Sequence, residues 1–458
     1  MRNISLALCS VLALTACNNS NSDDKPQVET RETLSSVATY TTIPHFKLNS
    51  LTRYKTDQLE LNFSKSVDIT FELFDKDDNS VYQYTSADPT SEYTLNVGSE
   101  YNNTLLDYGS YHYSVTITRD GESQTLTGAF TKGVRLIHQF ANKISDLSVS
   151  DGQLYVATGD YMRPVEVHQI DTSNDQVSTL TLDNSLLPKP IYDMKVQGDT
   201  LFLAGRKDQW MGGQLISQYS LSDQSLKVLD TDFGCKNAMD SECSAVFSLQ
   251  PLGETLYIGS SDGLYAKNGD QYEKVVDTGL DAESDIKTQF VDRQGRLWIG
   301  SMAKGGIAVK SGQQWQAFTE QNSDLPAGGF MDFTQMPSGD ILIAANINGL
   351  VQYSPETQEW QHFTPANSEV LDHNLVSVAY RDGVLIGSHD YGTAKSQNLS
   401  QWQVSDNTNS EMLTIDTDAC EFDPDSASCK QVIVVERMVT NKDGRVFAAI
   451  GKGIYELY

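Results

Sequence analysis

A short apolar run ending on a small residue occurs seven times in the last two-thirds of this 458-residue chain. The runs are LYVA (154–157), LFLA (201–204), LYIG (256–259), LWIG (297–300), ILIA (341–344), VLIG (384–387) and VFAA (446–449). Their last residues are 47, 55, 41, 44, 43 and 62 positions apart. A period near 40–45 residues with four short strands per unit predicts the blades of a β-propeller.

Other positions repeat with the same period. A turn containing glycine precedes most runs, as at Gly152, Gly295 and Gly444, and suits a tight hairpin between the first two strands of a blade. The fourth strand carries an aromatic residue, as at Trp315, Trp360 and Trp402, which we interpret as core between blades rather than as a stacking platform for a ligand.

The sequence stops after the third strand of the last unit, while residues 133–140 belong to no other unit. Pairing of strand 134–140 with the final strand would close the ring and hide two sheet edges. We therefore expect an all-β chain whose residues 133–458 form a seven-bladed β-propeller.

Residues 38–132 alternate apolar and polar residues in short runs separated by turn residues, which indicates six or seven antiparallel strands. Residues 106–115 loosely resemble the corner before a late strand of immunoglobulin or fibronectin domains, and this resemblance implies a small β-sandwich. Asp75, Asp77 and Asp78 are either Ca²⁺ ligands or a solvated hairpin turn, and the composition favours the turn.

The first residues have the pattern of a targeting signal. Residues 1–3 are a short positive start, residues 4–16 are apolar but too short to span a membrane, and LTAC ends at Cys17. This pattern resembles the signal of bacterial lipoproteins, which implies cleavage after residue 16, acylation of Cys17 and, with Asn18, sorting to the outer membrane. The alternative is an ordinary secretory signal that contains a cysteine. Residues 17–37 are polar and predict a flexible tether.

Four cysteines remain beyond the signal and the lipidated residue, and they allow three pairings. Their close spacing favours the disulfides Cys235–Cys243 and Cys420–Cys429. Each would cross-link an insertion in one of the two longest spacings of the repeat. A metal site is the rival interpretation, without a CxxC or clustered histidines to support it.

Composition limits the partners. Asp plus Glu number 61 against 33 Lys plus Arg, so the net charge of −28 argues against nucleic acid or an anionic lipid surface. The sequence lacks HExxH, GxSxG and Walker motifs, which favours binding over catalysis. The acidic segment around Asp416, Asp418, Asp423 and Asp425 could hold a Ca²⁺ ion by its oxygen atoms, and a solvated loop is the favoured interpretation.

The central units carry a more specific pattern, namely DRQGRLWIGS (292–301), GGI (305–307), WQAFT (315–319) and NSDLP (322–326). This pattern resembles the two-component regulator propeller repeat, and the resemblance extends over about residues 134–458. It implies a periplasmic or extracellular sensor propeller, often fused to a histidine kinase and associated with glycan sensing. This sequence shows neither a transmembrane run nor a kinase.

In a propeller, the loops between strands two and three share a face with the loops that enter strand one. We predict a ligand-binding mouth on this face, formed by Arg163, Arg206, Trp210, Lys304, His389, Tyr391 and Lys452. The entering loops add Lys189, Asp285, Lys287, Asp332 and His373. The sequence thus favours an envelope lipoprotein that binds a glycan or a protein. The alternatives are a hydrolase or lyase acting on polysaccharide or lactone, and an envelope assembly scaffold.

Overall fold

The computed structural model describes residues 38–41, 45–48, 55–75, 77–96, 109–160, 162–208, 212–229, 245–303, 305–400, 402–405, 412–416 and 431–458. The signal, the tether and all six cysteines lie outside these residues, as do Trp210 and Lys304 of the predicted mouth. Within the described part of the chain, no helix has the length and apolar character needed to cross a membrane.

The N-terminal strands are antiparallel and centre on one long strand. They are β1 (Ala38–Thr41), β2 (His45–Leu48), β3 (Lys55–Asp75), β4 (Ser80–Thr85), β5 (Thr90–Asn96), β6 (Gly109–Arg119) and β7 (Glu122–Lys132). The first part of β3 pairs with β1, β2 and β5, and its second part pairs with β4 and β6. Phe71 and Val115 lie at the centre of the buried cluster of this region.

The hairpin turn after β3 is held by its own first residue. The carboxylate of Asp75 accepts the backbone N–H groups of Asp77 and Asn79, each at 2.9 Å. Asp75 therefore stabilises the turn, in the way that Asp residues do when they bond to backbone two to four residues on.

Seven four-stranded antiparallel sheets follow, and we number them as blades 1 to 7, each from its inner to its outer strand. Blade 1 is β9 (Ile144–Ser150), β10 (Gln153–Thr158), β11 (Glu166–Asp171) and β12 (Val177–Thr179). Blade 2 is β13 (Ile191–Gln197), β14 (Thr200–Asp208), β15 (Gly212–Ser220) and β16 (Ser225–Val228). Blade 3 is β17 (Val246–Leu252), β18 (Thr255–Ser260), β19 (Gly263–Asn268) and β20 (Gln271–Val275). Blade 4 is β21 (Ile286–Val291), β22 (Leu297–Ser301), β23 (Ile307–Ser311) and β24 (Gln314–Phe318).

The remaining blades have the same order. Blade 5 is β25 (Gly329–Gln335), β26 (Ile341–Asn346), β27 (Gly349–Ser354) and β28 (Glu359–Phe363). Blade 6 is β29 (Leu375–Tyr380), β30 (Val384–Ser388), β31 (Thr393–Ser396) and β32 (Gln403–Ser405), and β33 (Ile415–Asp416) with β34 (Gln431–Val432) forms a small pair after it. Blade 7 is β35 (Val435–Thr440), β36 (Val446–Ile450) and β37 (Gly453–Leu457), with β8 (Val134–Gln139) as its outer strand. Two single turns, a 3-10 turn (Asn184–Leu186) and α1 (Pro365–Ser368), complete the described elements.

The blades form a closed ring. Each inner strand contacts the inner strands of both neighbouring blades, and β35 contacts β9. The pairing of β37 with β8 joins the two ends of this part of the chain within one sheet. The predicted count of seven four-stranded units is confirmed, and their arrangement is that of a seven-bladed propeller.

The repeated apolar runs owe their small last residue to packing between blades. A Cβ atom at Gly259 would lie 2.5 Å from the backbone oxygen of Ile286 in the next blade. One at Gly387 would lie 2.6 Å from Cγ1 of Val435. In blades 3 and 6 the small residue of the second strand therefore lies where the next blade approaches closely.

The residues that carry the family resemblance are hairpin and core residues. Asp292 is buried, and its carboxylate accepts the Nε–H of Arg296 at 2.6 Å and the indole N–H of Trp298 at 2.8 Å. Gly295 completes this turn at φ +74°. Trp360 packs edge-on against Phe318 of the preceding blade, so it belongs to the core between blades.

Candidate functional site: the axial cavity

All seven inner strands contain a β-bulge near their start, at the second residue in six blades and at the third residue of β25 in blade 5. The pairing between each inner strand and its neighbour skips one residue there. The skipped residues are Ser145, Tyr192, Phe247, Lys287, Met331, Val376 and Glu436. A bulge turns its extra side chain away from the ladder. All seven of these residues line one cavity of about 290 Å³, which therefore lies on the axis of the ring.

The residue after each bulge contributes to a polar ring beneath these side chains. Its members are Asp146, Asp193, Ser248, Thr288, Asp332, Ser377 and Arg437. Four of them bind a backbone N–H of the next blade: Asp146 that of Met194 (2.6 Å), Asp193 that of Leu249 (2.6 Å), Asp332 that of Val378 (3.1 Å) and Ser377 that of Met438 (2.9 Å). The same bond thus joins four pairs of adjacent blades.

The side chain of Arg437 reaches from blade 7 to carboxylates of blades 1 and 2. One of its terminal nitrogens lies 2.9 Å from Oδ1 of Asp146 and 2.5 Å from Oδ1 of Asp193. Burial would lower the pKa of Arg437, but the neighbouring carboxylates outweigh burial and raise it. Burial raises the pKa of Asp146 to about 6 against the attraction of Arg437. Burial also raises the pKa of Asp332.

An aromatic wall lies on one side of the cavity. The ring centroids of Tyr192 and Phe247 are 5.9 Å apart, and Nζ of Lys287 lies 5.0 Å from the centroid of Phe247 and 5.9 Å from that of Tyr192. Both distances are within the range of a cation–π contact. Burial and, after it, the positive charge of Arg437 lower the pKa of Lys287.

Two polar atoms at the cavity have neither a hydrogen bond nor an ion pair with the described residues. They are Oγ of Ser145 and Oε1 of Gln289. The Nε2 atom of Gln289 donates to the carbonyl oxygen of Ser248 at 3.1 Å, which fixes the amide and directs its oxygen elsewhere. Buried polar atoms are normally paired with protein, water or ligand, so both atoms can receive a ligand group.

The predicted mouth residues lie at the expected end of the ring, but only some border the cavity. The inner strands begin opposite the ends of the second strands, as the pairing of Leu375 with Ser388 shows. His389 lines the cavity, as do Lys287 and Asp332. His389 also bonds to Asp390 at 2.9 Å.

Three of the other predicted mouth residues lie on the surrounding loops, and Arg206 lies near the end of β14. Arg163 pairs with Asp160 at 3.1 Å, and Arg206 and Lys452 are exposed. Tyr391 is 58% exposed and forms an isolated bridge with Ile433. None of these four lines the axial cavity. The site as a whole remains a prediction.

Sequence reasoning missed the aromatic wall and Arg437. The signal lies in the three residues centred on the bulge of each inner strand. The first is always apolar, the third is Asp, Ser, Thr or Arg, and the second varies from Ser to Phe to Lys. An alignment of the seven units on this triplet would have found every side chain of the cavity wall except Gln289 and His389.

No protein-family model matches the sequence, and no curated protein matches it. Among solved structures, YCF48 bound to D1 peptide is 14% identical and covers 71% of this chain and 94% of its own, with a TM-score of 0.48. The extracellular domain of BT3049, described as a hybrid two component system of B. thetaiotaomicron, is 15% identical over 69% of this chain and 40% of its own, with a TM-score of 0.45. A streptogramin B lyase is 10% identical and covers 71% of this chain and 97% of its own, with a TM-score of 0.49.

These proteins have different roles, so the similarity concerns architecture only. The assignment of the ring depends on the strand pairing and on the contacts between inner strands. In the described part of the chain, no group of three or more His, Cys, Asp and Glu side chains is arranged to hold a metal ion.

Proposed function

We propose that this protein is a binding propeller that recognises a small polar ligand in its axial cavity. The observation that carries this proposal is the convergence of one bulged side chain from each of seven inner strands on a space of about 290 Å³. Ligand pockets typically begin near this size and combine apolar walls with a few polar groups. Here Tyr192 and Phe247 supply the wall, and Lys287, Ser145 and Gln289 supply the polar groups.

The carboxylates of the polar ring favour binding over catalysis. Asp146, Asp193 and Asp332 each hold a backbone N–H of the neighbouring blade, and Arg437 engages the first two. A general acid or base needs a carboxyl group free to exchange a proton with a substrate. These three are instead part of the joints that keep the blades in place.

A glycan is the ligand class that the wall fits best within this proposal. Sugar rings combine an apolar face with hydroxyl groups, and the cavity places two tilted aromatic rings beside an unpaired amide oxygen and an unpaired hydroxyl. The resemblance of the central units to sensor propellers associated with glycans points in the same direction.

We further propose a setting for the ring. Cys17 would carry lipid at the outer membrane, residues 17–37 would act as a tether, and residues 38–132 would form a sandwich in which β3 runs through both sheets. Disulfides Cys235–Cys243 and Cys420–Cys429 would staple the insertions. The division of β3 between two sets of partners supports the sandwich. Mass spectrometry of wild type and Cys17→Ala, together with their membrane fractionation, tests the anchor.

A glycan array followed by calorimetry tests the function. We expect binding of at least one glycan, weakened roughly tenfold in Tyr192→Leu, because an aromatic contact contributes about 1 kcal/mol or more. Tyr272→Leu, on the outer strand of blade 3, is the matched control and should bind as the wild type does. Conversion of a bound saccharide to new products would favour the hydrolase or lyase. Binding that is equal in both variants would exclude the axial cavity.

A further inference from the structure

Lys287 differs from the other cations near the cavity in its partners. Arg437 bridges two carboxylates, and Nζ of Lys143 lies 2.8 Å from Glu436. Lys195 lies 3.8 Å from Asp193. Lys287 forms no ion pair or hydrogen bond with any described residue and instead contacts the two aromatic faces.

The acidic groups of the site are already engaged elsewhere. Asp146 and Asp193 hold Arg437, Glu436 holds Lys143, and Asp332 accepts the hydroxyl of Ser377 at 2.5 Å. A half-buried ammonium that has lost part of its hydration and has no counterion is costly. The lowered pKa of Lys287 expresses this cost, and an anion placed at Nζ would relieve it.

We propose that the axial cavity selects a ring-shaped carboxylate, with the carboxylate at Nζ of Lys287 and the face of the ring against Tyr192 and Phe247. This inference depends on the proposed function and narrows its ligand class. Oγ of Ser145 and Oε1 of Gln289 would then bind hydroxyl groups on the ring or ordered water. Because Gln289 offers an acceptor there, it favours a ligand with a donor group on that side.

The size of the cavity suits a ligand of about one ring. Its volume of about 290 Å³ is near the lower end of the range for ligand pockets. Two classes of ligand combine a ring with a carboxylate. A sugar acid would also offer hydroxyl groups to Ser145 and Gln289, whereas an aromatic acid would contact only the aromatic wall and Lys287. Matched pairs of acids and neutral analogues separate them.

The test is calorimetry at low salt on the full-length chain in detergent. The probes are galacturonate and glucuronate against galactose and glucose, and benzoate against benzyl alcohol. Lys287→Met removes the charge but keeps an unbranched apolar side chain beside the two rings. Lys227→Met, on the exposed outer strand of blade 2, is the matched control for loss of one positive charge.

We expect at least one acid to bind the wild type and Lys227→Met equally, and to bind Lys287→Met roughly tenfold to a hundredfold more weakly, as for the loss of a charge-assisted hydrogen bond. Its neutral analogue should bind the wild type weakly and should not distinguish Lys287→Met. Binding by the uronates alone identifies a sugar acid, and binding by benzoate alone identifies an aromatic acid.

Three results would overturn the inference: equal binding of the acids to wild type and Lys287→Met, equal binding of acids and neutral analogues to the wild type, or no binding of any probe. If a neutral glycan binds the wild type in a manner that depends on Tyr192 but not on Lys287, the inference fails and the proposed function stands. If neither this panel nor the array yields a ligand, both fail.

Discussion

Glu456 joins three blades around one buried carboxylate, and we predict that Glu456→Gln weakens the ring. Its side chain is 1% exposed on β37. It accepts hydrogen bonds from Arg135 on β8 (2.9 Å), Arg381 after β29 (3.1 Å), and Arg445 before β36 (2.7 Å). Tyr458 adds its hydroxyl at 2.8 Å. Arg135 also reaches Asp175 of blade 1 at 2.5 Å, so the cluster extends from blade 6 through blade 7 to blade 1.

The magnitude follows from proton linkage. Burial alone would raise the pKa of Glu456, but the hydrogen bonds from Arg445, Arg135 and Tyr458 outweigh burial and lower it from 4.5 to about 2. Each pKa unit is worth about 1.4 kcal/mol, so the charged carboxylate contributes about 3 kcal/mol to the free energy of unfolding. Because the folded pKa is lowered, this contribution is complete above pH 4.5 and is lost as the pH falls towards 2.

Urea unfolding followed by tryptophan fluorescence measures the effect, since Trp298 is fully buried within the ring. At pH 7 we expect Glu456→Gln to unfold with a free energy about 3 kcal/mol lower than that of the wild type, with the same slope against urea. Between pH 5 and pH 3 the difference should shrink, because the unfolded wild type binds a proton near pH 4.5 whereas the folded wild type keeps Glu456 charged until about pH 2. Glu359→Gln, on the exposed outer strand of blade 5, is the matched control and should change the free energy by less than about 0.5 kcal/mol.

Two results would refute this reasoning. One is a Glu456→Gln protein as stable as Glu359→Gln at pH 7, which would mean that the three arginines lose nothing when the charge is removed. The other is a difference between wild type and Glu456→Gln that stays constant from pH 5 to pH 3, which would show that the lowered pKa of Glu456 does not contribute to stability.

Three further predictions concern the ring. Arg437→Met leaves Asp146 and Asp193 without their shared cation and should lower the free energy of unfolding by about 3–5 kcal/mol, as measured by urea titration; a loss below about 1 kcal/mol would contradict it. Deletion of residues 447–458 removes the partner of β8 and should yield a protein that aggregates in light scattering, whereas a soluble product with cooperative unfolding would count against closure by this strand. Gly259→Ala should cost about 1–3 kcal/mol because its methyl group would meet the carbonyl oxygen of Ile286, and an unchanged melting temperature would show that blades 3 and 4 can move apart.

Periodicity predicts the ring because packing within and between blades requires the repeated residues. The second strand of each blade is buried on both faces, so its residues are apolar in all seven units, and the small last residue is required by the approach of the next blade. The hairpin glycines and Asp292 are equally constrained by backbone geometry. These requirements are local to one unit and its neighbour, so they recur in the sequence.

The cavity could be predicted only in part, because packing between blades does not constrain its side chains and they therefore do not repeat in the sequence. Reasoning from loops indicated the end of the ring at which the cavity lies and included His389, Lys287 and Asp332. It favoured exposed cations such as Arg206 and Lys452, because it assumed that the mouth is made by loops. The bulge instead directs residues of the inner strands to the axis, and nothing in a single strand reveals the bulge.

The bulge also separates the requirements of folding from those of recognition. The residue before it is apolar in all seven blades, and the residue after it is polar in all seven. Four of the residues after it hold the next blade by a backbone N–H. The bulged residue itself ranges over Ser, Tyr, Phe, Lys, Met, Val and Glu without disturbing the pairing around it. A ring built in this way can change its ligand by replacing these seven side chains while every joint between blades remains as it is. On the proposed function, the side chains at the seven bulges, rather than the repeated residues, decide which ligand the cavity accepts.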